Sequence, residues 1–384
     1  MKSGKIILVD DDRRTLEGLV EKLERATGLK VDSVEAPNLD NLDEIISTKP
    51  DLIIVDYLLT MKRSDDTIVN YLGGTLLTRL REETPDIPLV VVSRPPIYGQ
   101  YPQLRKLSEV ADLVFLKNHL ENEKYRIGSK LKALIEGYHD ITNYDLEKRN
   151  WDLLLKLLGA TKKEGELLDE TNPPIGPDNS IRLDETELLS GNDCNNETFR
   201  GWTAHDASRW ITGILFSYPG ILYNHQYAAT NLGVAPESFL SDTTFQDKFK
   251  QEQYAGIFKG YEELWWRGRL RSKAASYISH RGTTPIHTIF ASQFNEAFDA
   301  KLTPSYCNSS EENKEYADTI CYILQEPVKT QYSLIYYPDN RPGIMDPARV
   351  SFKAIETTNK AKRRLFKKSD QKLFDAIRSG LVGK

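Results

Sequence analysis

Five side chains that could take part in one reaction follow short apolar runs in the N-terminal part of the sequence. They are three aspartates, one serine and one lysine: Asp10, Asp11, Asp56, Ser93 and Lys117. Carboxylates at close quarters repel one another unless a cation lies among them, so three together predict a hard divalent ion, Mg²⁺. With the metal held by the aspartates, a phosphoryl donor can be placed in line with an oxygen of Asp56. The metal and Lys117 would then neutralise the charge that develops on the equatorial oxygens.

The apolar runs themselves are predicted to be buried strands. Five of them are rich in branched residues and alternate with amphipathic stretches: Lys5–Val9, Val31–Val34, Leu52–Val55, Leu89–Val92 and Leu113–Leu116. Strands that alternate with helices form parallel crossover units, which predicts an α/β fold with a doubly wound, five-stranded parallel sheet covered on both faces. In such sheets ligands bind at the carboxyl ends of the strands, where all five side chains would meet.

These segments resemble the receiver domain of two-component response regulators. The stretches KIILVDDD, PDLIIVDYLL, IPLVVVS and ADLVFLK carry the family pattern on about residues 4–137. That pattern is an acidic pair after the first strand, the phosphorylated Asp after the third, Ser or Thr after the fourth and Lys after the fifth. The resemblance implies a flavodoxin-like sheet, Asp56 as the phosphoacceptor, Ser93 and Lys117 as catalytic residues, and Asp10, Asp11 and Asp56 as Mg²⁺ ligands. It also implies a histidine kinase or a phosphotransfer protein as partner.

Three departures from the family pattern concern how a phosphoryl group would be handled. Thr60 stands where the family usually has a proline, and the following stretch Met61–Leu72 is longer than usual. Arg94 follows the serine, where the family prefers a small residue, and Val114 replaces the usual aromatic residue before the lysine. A receiver that has lost its chemistry is the alternative, but all five residues of the pattern are present. We therefore expect phosphorylation to occur, and leave open whether its lifetime and readout differ from the family pattern.

The length of 384 residues predicts more than one domain. We expect a receiver over residues 1–140, a helical connector and linker over 141–187, and a separate, mainly helical α+β output domain over 188–384. The connector contains an apolar helical stripe over Asn143–Leu158 and a proline-rich stretch, Asn172–Pro177. The output domain is expected to end in a small antiparallel sheet with strands at Asp318–Leu324, Gln331–Tyr337 and Val350–Ile355. Its sequence resembles no family that we recognise.

Two stretches of the output domain have features of nucleic-acid-binding segments. Ala229–Phe239 has the spacing of a helix-turn-helix, with Gly233 at the turn. However, Glu237 lies at the second helix, where negative charge would face phosphate, so two packed helices are the preferred interpretation. Trp265 and Trp266 are followed by basic residues, and we expect the tryptophans to anchor a core while the arginines reach solvent.

The C-terminal tail is predicted to be a basic amphipathic helix that ends near Gly380. Seven of its residues are basic: Lys360, Lys362, Arg363, Arg364, Lys367, Lys368 and Lys372. Five apolar residues could share the other face: Leu365, Phe366, Leu373, Phe374 and Ile377. A solvated face packed on the domain is the leading interpretation, followed by binding of an acidic protein or of nucleic acid. Attachment to a membrane is the least favoured.

Four histidines, His205, His225, His280 and His287, are candidates for catalysis in the output domain. Their spacing matches no metal site, because His280 and His287 are seven residues apart rather than four. No separate catalytic motif is found, so self-phosphorylation and autodephosphorylation of the receiver are the only activities expected. If a second activity exists, replacing His205 or His280 should abolish it and leave phosphorylation intact.

The overall composition is that of an ordinary globular protein, with 28% charged and 39% hydrophobic residues. A net charge of −5 excludes a surface that is basic throughout, and the three widely spaced cysteines support neither a disulfide framework nor a zinc site. We find no signal peptide and no apolar run that could span a bilayer, and we expect a cytoplasmic protein.

The leading hypothesis is a phosphorelay response regulator whose output is a protein contact, with storage of phosphoryl groups and a homodimer as related options. The alternatives are a phosphorylation-controlled, DNA-binding transcriptional regulator and a phosphorylation-gated enzyme in a stress or phage-defence circuit. The kinase, the signal and the output are not encoded in any motif that we find.

Overall fold

The computed structural model describes residues 4–10, 13–39, 41–59, 71–94, 107, 109–171, 173, 202–278, 291–307, 315–337 and 341–381. The chain divides into two compact units that are both discontinuous in sequence. Unit 1 comprises Met1–Ala160, Pro173–Gly213 and Gly256–Glu262, and unit 2 comprises Thr161–Asn172, Ile214–Ala255 and Glu263–Lys384.

The strands and helices of the described residues alternate through unit 1 and are shorter in unit 2. The strands are β1 Lys5–Asp10, β2 Lys30–Glu35, β3 Leu52–Asp56, β4 Leu58–Leu59, β5 Tyr71–Leu72, β6 Leu89–Ser93, β7 Leu113–Leu116, β8 Leu222–Asn224, β9 Leu264–Trp266, β10 Thr319–Ile320, β11 Pro327–Val328, β12 Ser333–Tyr336 and β13 Ala348–Ser351. The helices are α1 Arg13–Thr27, α2 Asp43–Ile46, α3 Gly73–Glu83, α4 Ile127–Thr142, α5 Trp151–Leu158, α6 Lys162–Asp169, α7 Ala204–Trp210, α8 His225–Asn231, α9 Pro236–Ser241, α10 Thr243–Lys248, α11 Arg267–Ile278, α12 Ala291–Phe298, α13 Phe352–Thr357 and α14 Gln371–Arg378.

The main sheet of unit 1 has the strand order β2-β1-β3-β6-β7, and every neighbouring pair is parallel. This is the order of flavodoxin-like doubly wound sheets, so the predicted fold class is confirmed. The five strands coincide with the five predicted apolar runs. The residues of β3 from Leu52 to Val55 are fully buried, as expected for a strand that is covered on both faces.

Unit 1 extends beyond residue 140, where the sequence predicted the receiver to end. Helix α5 begins after Asn150, whose side chain accepts a hydrogen bond from the Leu153 amide, and it buries Trp151, Leu154 and Leu158. Two later segments, 202–213 and 256–262, also belong to this unit. In the second of these segments, Phe258 packs against α4 with its ring 6.3 Å from that of Tyr138.

In unit 2, short helices accompany three separate two-stranded antiparallel ribbons, β8–β9, β10–β11 and β12–β13. The observed strands are shorter than the predicted ones. They form separate two-stranded ribbons instead of one continuous sheet. Turn residues 321–326 join β10 to β11, and the predicted strand Val350–Ile355 changes at Phe352 into α13. The Ser351 side chain accepts a hydrogen bond from the Ala354 amide and so caps that helix, which ends the strand.

The predicted helix-turn-helix stretch forms α8 and α9, two packed helices, which is the preferred interpretation of the sequence. Gly233 lies between them with φ at +68°, a conformation that favours glycine. Leu232, Val234 and Phe239 are buried in one apolar cluster of unit 2. Helix α9 has six residues and exposes Glu237, so it offers a short and acidic surface to any ligand.

The two tryptophans are buried as expected, and Arg269 after them contacts other side chains of unit 2. Trp265 and Trp266 are 5% and 1% exposed. The Arg269 guanidinium stacks 4.8 Å from the Trp266 ring and donates to the Glu164 carboxylate at 2.8 Å. Trp265 and Trp266 therefore anchor a core as predicted, whereas Arg269 binds Glu164 and the Trp266 ring instead of extending into solvent.

The C-terminal tail differs from the predicted continuous amphipathic helix. A 3-10 turn spans Arg363–Leu365, and α14 begins only at Gln371, so Lys372 alone of the seven basic residues lies on it. The chain leaves the helix at Gly380, where φ is +73°. No helix among the described residues combines the length and the apolar character that crossing a membrane requires.

Candidate functional site

Four of the five residues predicted to carry chemistry lie at one edge of the main sheet. Asp10, Asp56 and Ser93 are the last residues of β1, β3 and β6, and Lys117 directly follows β7. Because these strands are parallel neighbours, their carboxyl ends meet. The fifth residue, Asp11, lies outside the described residues.

The Lys117 ammonium joins two of the carboxylates. Its Nζ atom lies 2.9 Å from Oδ2 of Asp10 and 3.2 Å from Oδ2 of Asp56. The backbone amide of Tyr57 donates to the other Asp56 oxygen, Oδ1, at 3.0 Å. The Asp10 side chain is fully buried, whereas that of Asp56 is 9% exposed, so of these two carboxylates only Asp56 is open to a reactant.

Burial and charge leave the Asp56 carboxyl with an altered affinity for protons. Burial raises its pKa, and so does the negative charge of Asp10, while Lys117 and the Tyr57 amide lower it. The raising effects dominate, and the pKa of Asp56 is about 6. Lys117 therefore does not outweigh the combined effect of burial and of the neighbouring Asp10 charge on the Asp56 carboxyl.

The donor set suits a hard divalent cation. Carboxylate oxygens are the ligands that Mg²⁺ prefers, and Asp10 and Asp56 offer them side by side. The position of the Lys117 ammonium, within 3.2 Å of both carboxylates, is the observation that supports this fit, because it shows that the two aspartates bind positive charge together. Asp10 and Asp56 could hold the ion, and Asp11 is the third predicted ligand.

We predict that Asp56→Asn stabilises the protein at neutral pH in the presence of a chelator. A carboxyl whose pKa is higher in the folded than in the unfolded state favours folding below its unfolded pKa, and that contribution is lost as the pH rises through about 6. The shift of about two units corresponds to about 3 kcal/mol at most. Urea unfolding at pH 8 should show the Asn variant to be more stable by up to that amount.

At pH 4 the stability difference between wild type and the Asn variant should be much smaller. A difference that is the same at pH 4 and pH 8 would contradict the assignment of the raised pKa to Asp56. Asp32→Asn is a suitable control, because Asp32 lies in β2 and its pKa is lowered rather than raised by Lys30.

Ser93 and Val114, which stand at the hydroxyl and aromatic positions of the family pattern, do not contact each other through any bond described for their side chains. Ser93 is 9% exposed and donates its hydroxyl to the Arg94 carbonyl at 3.1 Å. Val114 pairs in register with Val91 and packs against the apolar cluster on one face of the sheet. The Val114 side chain has no aromatic ring that could rotate in response to a movement of the Ser93 hydroxyl.

The long stretch after Asp56 begins and ends as a β-ribbon. Strands β4 and β5 pair antiparallel, with Leu58 opposite Leu72. At the end of the ribbon, the Gly73 amide donates to the Tyr57 carbonyl at 2.8 Å. A Cβ atom on Gly73 would lie 2.1 Å from the Asp56 carbonyl oxygen, so only glycine fits here. Residues 60–70 lie outside the described residues.

This ribbon and the close approach at Gly73 were not predicted from the sequence. The only signal was the pair of glycines at positions 73 and 74, which marks a close approach of two backbone segments. Strands β4 and β5 have two residues each, and such short strands produce no alternation of apolar and polar residues that could be recognised in the sequence.

The histidine predicted to be a candidate for catalysis is part of a buried network in unit 1. His205 is 8% exposed; its Nδ1 lies 3.2 Å from Asp112, and its Nε2 lies 3.2 Å from the Glu109 carbonyl. The same Asp112 carboxylate accepts hydrogen bonds from Arg81 and Tyr138. His225 begins α8, and His280 and His287 lie outside the described residues.

No protein-family model matches this sequence, and no curated protein matches it. Several solved structures that are similar to it are response regulators or their receiver domains. A LuxR-family two-component response regulator from Aurantimonas sp. SI85-9A1 is 19% identical, with a TM-score of 0.28, over 35% of this chain and 87% of that one. A CheY-like receiver domain protein from Methanospirillum hungatei JF-1 is 18% identical, with a TM-score of 0.27, over 36% of this chain and 97% of that one.

A third similar structure is the N-terminal signal receiver domain of a response regulator from Bacteroides fragilis. It is 20% identical, with a TM-score of 0.23, over 30% of this chain and 84% of that one. These proteins belong to the family that the sequence motifs resemble. The fold assignment of unit 1 rests on its strand order.

Proposed function

We propose that this chain is a response regulator of a phosphorelay, which accepts a phosphoryl group on Asp56 from a histidine kinase or a phosphotransfer protein, with Mg²⁺ as cofactor. One observation carries the proposal: the Lys117 ammonium lies within 3.2 Å of both Asp10 and Asp56, on adjacent strand ends. A cytoplasmic location is part of the proposal.

In the proposed reaction, Asp56 is the nucleophile that receives the phosphoryl group. In the transfer, an Asp56 oxygen forms a bond to phosphorus while the bond from phosphorus to a histidine nitrogen of the donor breaks. The nitrogen keeps the electron pair and is protonated from solvent. Attack requires the ionised carboxylate, which dominates at pH 7 and above because the pKa of Asp56 is about 6.

The charges around the acceptor favour the transferred group over the resting carboxylate. The Lys117 ammonium can neutralise the oxygens of the phosphoryl group as charge develops on them, and Mg²⁺ adds positive charge at the same place when it is bound. The Tyr57 amide holds the Asp56 carboxylate in one orientation. The acceptor is thereby positioned before the donor arrives.

For the output we propose a protein contact or the storage of phosphoryl groups. The helix-turn-helix stretch was a candidate for DNA binding, and His205 was a candidate for catalysis. Neither feature supports the corresponding hypothesis. The second helix of the helix-turn-helix stretch exposes Glu237, which is unfavourable toward phosphate. His205 is buried in unit 1 and is held there by Asp112 and the Glu109 carbonyl. A homodimer stays a prediction.

The proposal is tested with the purified full-length protein, a small phosphodonor such as acetyl phosphate, MgCl₂ and a Phos-tag gel. Wild type should give a shifted band that disappears with EDTA and in Asp56→Asn. Lys117→Ala should slow its formation on the order of 100-fold, because one charge-stabilising donor is lost. Asp32→Asn serves as the matched control and should be phosphorylated like wild type. A shifted band that persists in Asp56→Asn would refute the assignment.

A further inference from the structure

The C-terminal part of unit 2 concentrates positive charge in a chain that is acidic overall. Residues 358–381 contain eight basic and two acidic side chains, a net charge of +6, whereas the whole chain carries −5. A local excess of this size on an otherwise acidic protein is typical of a surface that binds a polyanion.

Most of these cations are unused by the fold. Arg363 pairs with Asp375 at 2.8 Å, and Arg378 donates to the Ile355 carbonyl. The remaining six are Lys360, Lys362, Arg364, Lys367, Lys368 and Lys372. We call them the basic surface. Five of the six lie on the 3-10 turn and its flanks, and all six are exposed. Within the described residues, none of the six forms an ion pair with a carboxylate.

The backbone under the basic surface is fixed to the core of unit 2. Phe366, Phe374 and Ile377 are between 1% and 5% exposed and belong to one apolar cluster. The apolar side of this segment is therefore already buried in protein. It cannot enter a lipid surface as an amphipathic helix would, which argues against a membrane as the polyanion.

An exposed aromatic residue is joined through its backbone to the segment that carries the cations. The Tyr337 amide donates to the Leu365 carbonyl at 2.8 Å, in the middle of the basic surface. The preceding residue, Tyr336, is buried against Phe366, so the side chain of Tyr337 points to the opposite side of the strand, where it is 47% exposed. A single-stranded nucleic acid offers both groups that such a surface binds, because its phosphates pair with the cations and its unpaired bases stack on an exposed ring.

We propose that the basic surface together with Tyr337 binds single-stranded nucleic acid. The cations contact consecutive phosphates, and the Tyr337 ring stacks on a base. The helix-turn-helix stretch takes no part, and binding does not depend on phosphorylation of Asp56. The site thus adds a second activity to the chain, independent of the proposed phosphorelay.

Fluorescence anisotropy of the full-length protein with a labelled 20-nucleotide oligothymidylate tests the proposal. Six phosphate contacts on a single strand predict that the logarithm of the association constant falls with the logarithm of salt with a slope of about −4. The triple variant Lys362→Gln, Lys367→Gln and Lys368→Gln should lower this slope by about 2 and weaken binding about 100-fold at 0.1 M salt. These lysines are exposed, so the variant should fold like wild type.

Two further variants separate this site from general electrostatics. A second triple variant removes the same charge from exposed positions elsewhere: Lys156→Gln, Lys162→Gln and Lys163→Gln. It should bind the oligonucleotide like wild type. Tyr337→Ala should weaken binding about 10-fold, and Tyr337→Phe should retain it. The proposal is overturned if wild type does not bind at 50 mM salt, or if both triple variants lose binding equally. It is also overturned if polyglutamate competes as well as the oligonucleotide, or if a duplex binds more tightly and Tyr337→Ala has no effect.

Discussion

Replacing Asp112 by Asn should lower the free energy of unfolding by about 3–5 kcal/mol. The Asp112 side chain is fully buried and accepts hydrogen bonds from Arg81 at 2.8 Å and from Tyr138 at 2.6 Å. The Leu89 amide donates to the same carboxylate at 2.9 Å. Asparagine keeps the shape of the side chain but leaves the charged Arg81 guanidinium, which is only 11% exposed, without the carboxylate that pairs with it.

The pH dependence of stability should report the same carboxylate. Burial raises its pKa, but the charge of Arg81 and the hydrogen bonds from His205 and Tyr138 outweigh this, so the pKa of Asp112 lies well below its usual range. A carboxyl with a lowered folded pKa stabilises the protein above its unfolded pKa of about 4, and this stabilisation is lost as the pH falls below that value. Because asparagine does not ionise, the free energy of unfolding of Asp112→Asn should decrease less on acidification than that of wild type.

Urea unfolding of the two proteins at pH 7 and pH 3 measures both effects. Asp145→Asn is the control, because its ion pair with Lys148 lies at the surface, with both side chains more than 70% exposed. It should unfold at the same urea concentration as wild type. An Asp112→Asn protein that unfolds like this control would show that the buried network does not stabilise unit 1.

The second large effect is expected from Gly73→Ala. The new Cβ atom would lie 2.1 Å from the Asp56 carbonyl oxygen and 3.1 Å from the Tyr57 Cα, so backbone must move to accommodate it. The ribbon of β4 and β5 holds both segments together, and the end of β3 would be displaced. Misplacement of a reacting group by a fraction of an ångström to one ångström slows a reaction on the order of 100-fold.

The rate of phosphorylation by acetyl phosphate measures this effect, together with the unfolding midpoint of each protein. Gly18→Ala is the matched control: Gly18 lies in α1, and its Cβ would meet no atom within 4 Å. That variant should be phosphorylated at the wild-type rate and be more stable by about 0.5–1 kcal/mol. If Gly73→Ala is phosphorylated as fast as the control, the close approach to Asp56 has no role in positioning the acceptor.

The sequence predicted the main sheet because strands buried on both faces have a distinctive composition. The runs that end at Asp10 and Asp56 contain almost only branched residues, and their chemistry-bearing residues follow directly. The convergence of Asp10, Asp56 and Lys117 could be predicted because parallel order and strand ends determine it. Neither conclusion required knowledge of any contact between distant residues.

The features that were not predicted depend on long-range packing. His205 lies more than ninety residues from Asp112 in the chain, and no local pattern announces their contact. The extent of unit 1 was missed for the same reason, because Phe258 reaches Tyr138 from a segment that reads like part of the output domain. The tail was predicted as one helix because its apolar spacing is helical, whereas Phe366 is held by strand pairing with Tyr336.

The late segments of unit 1 determine how this unit can be exchanged between proteins. A fusion that joins residues 1–140 to a foreign partner would omit Phe258, whose ring covers Gly137, and His205, which contacts Asp112. Such a transplant would expose an apolar strip on α4 and leave a buried carboxylate with fewer donors. A transferable cassette must therefore carry residues 202–213 and 256–262 as well, and chimeras designed by sequence order alone should misfold.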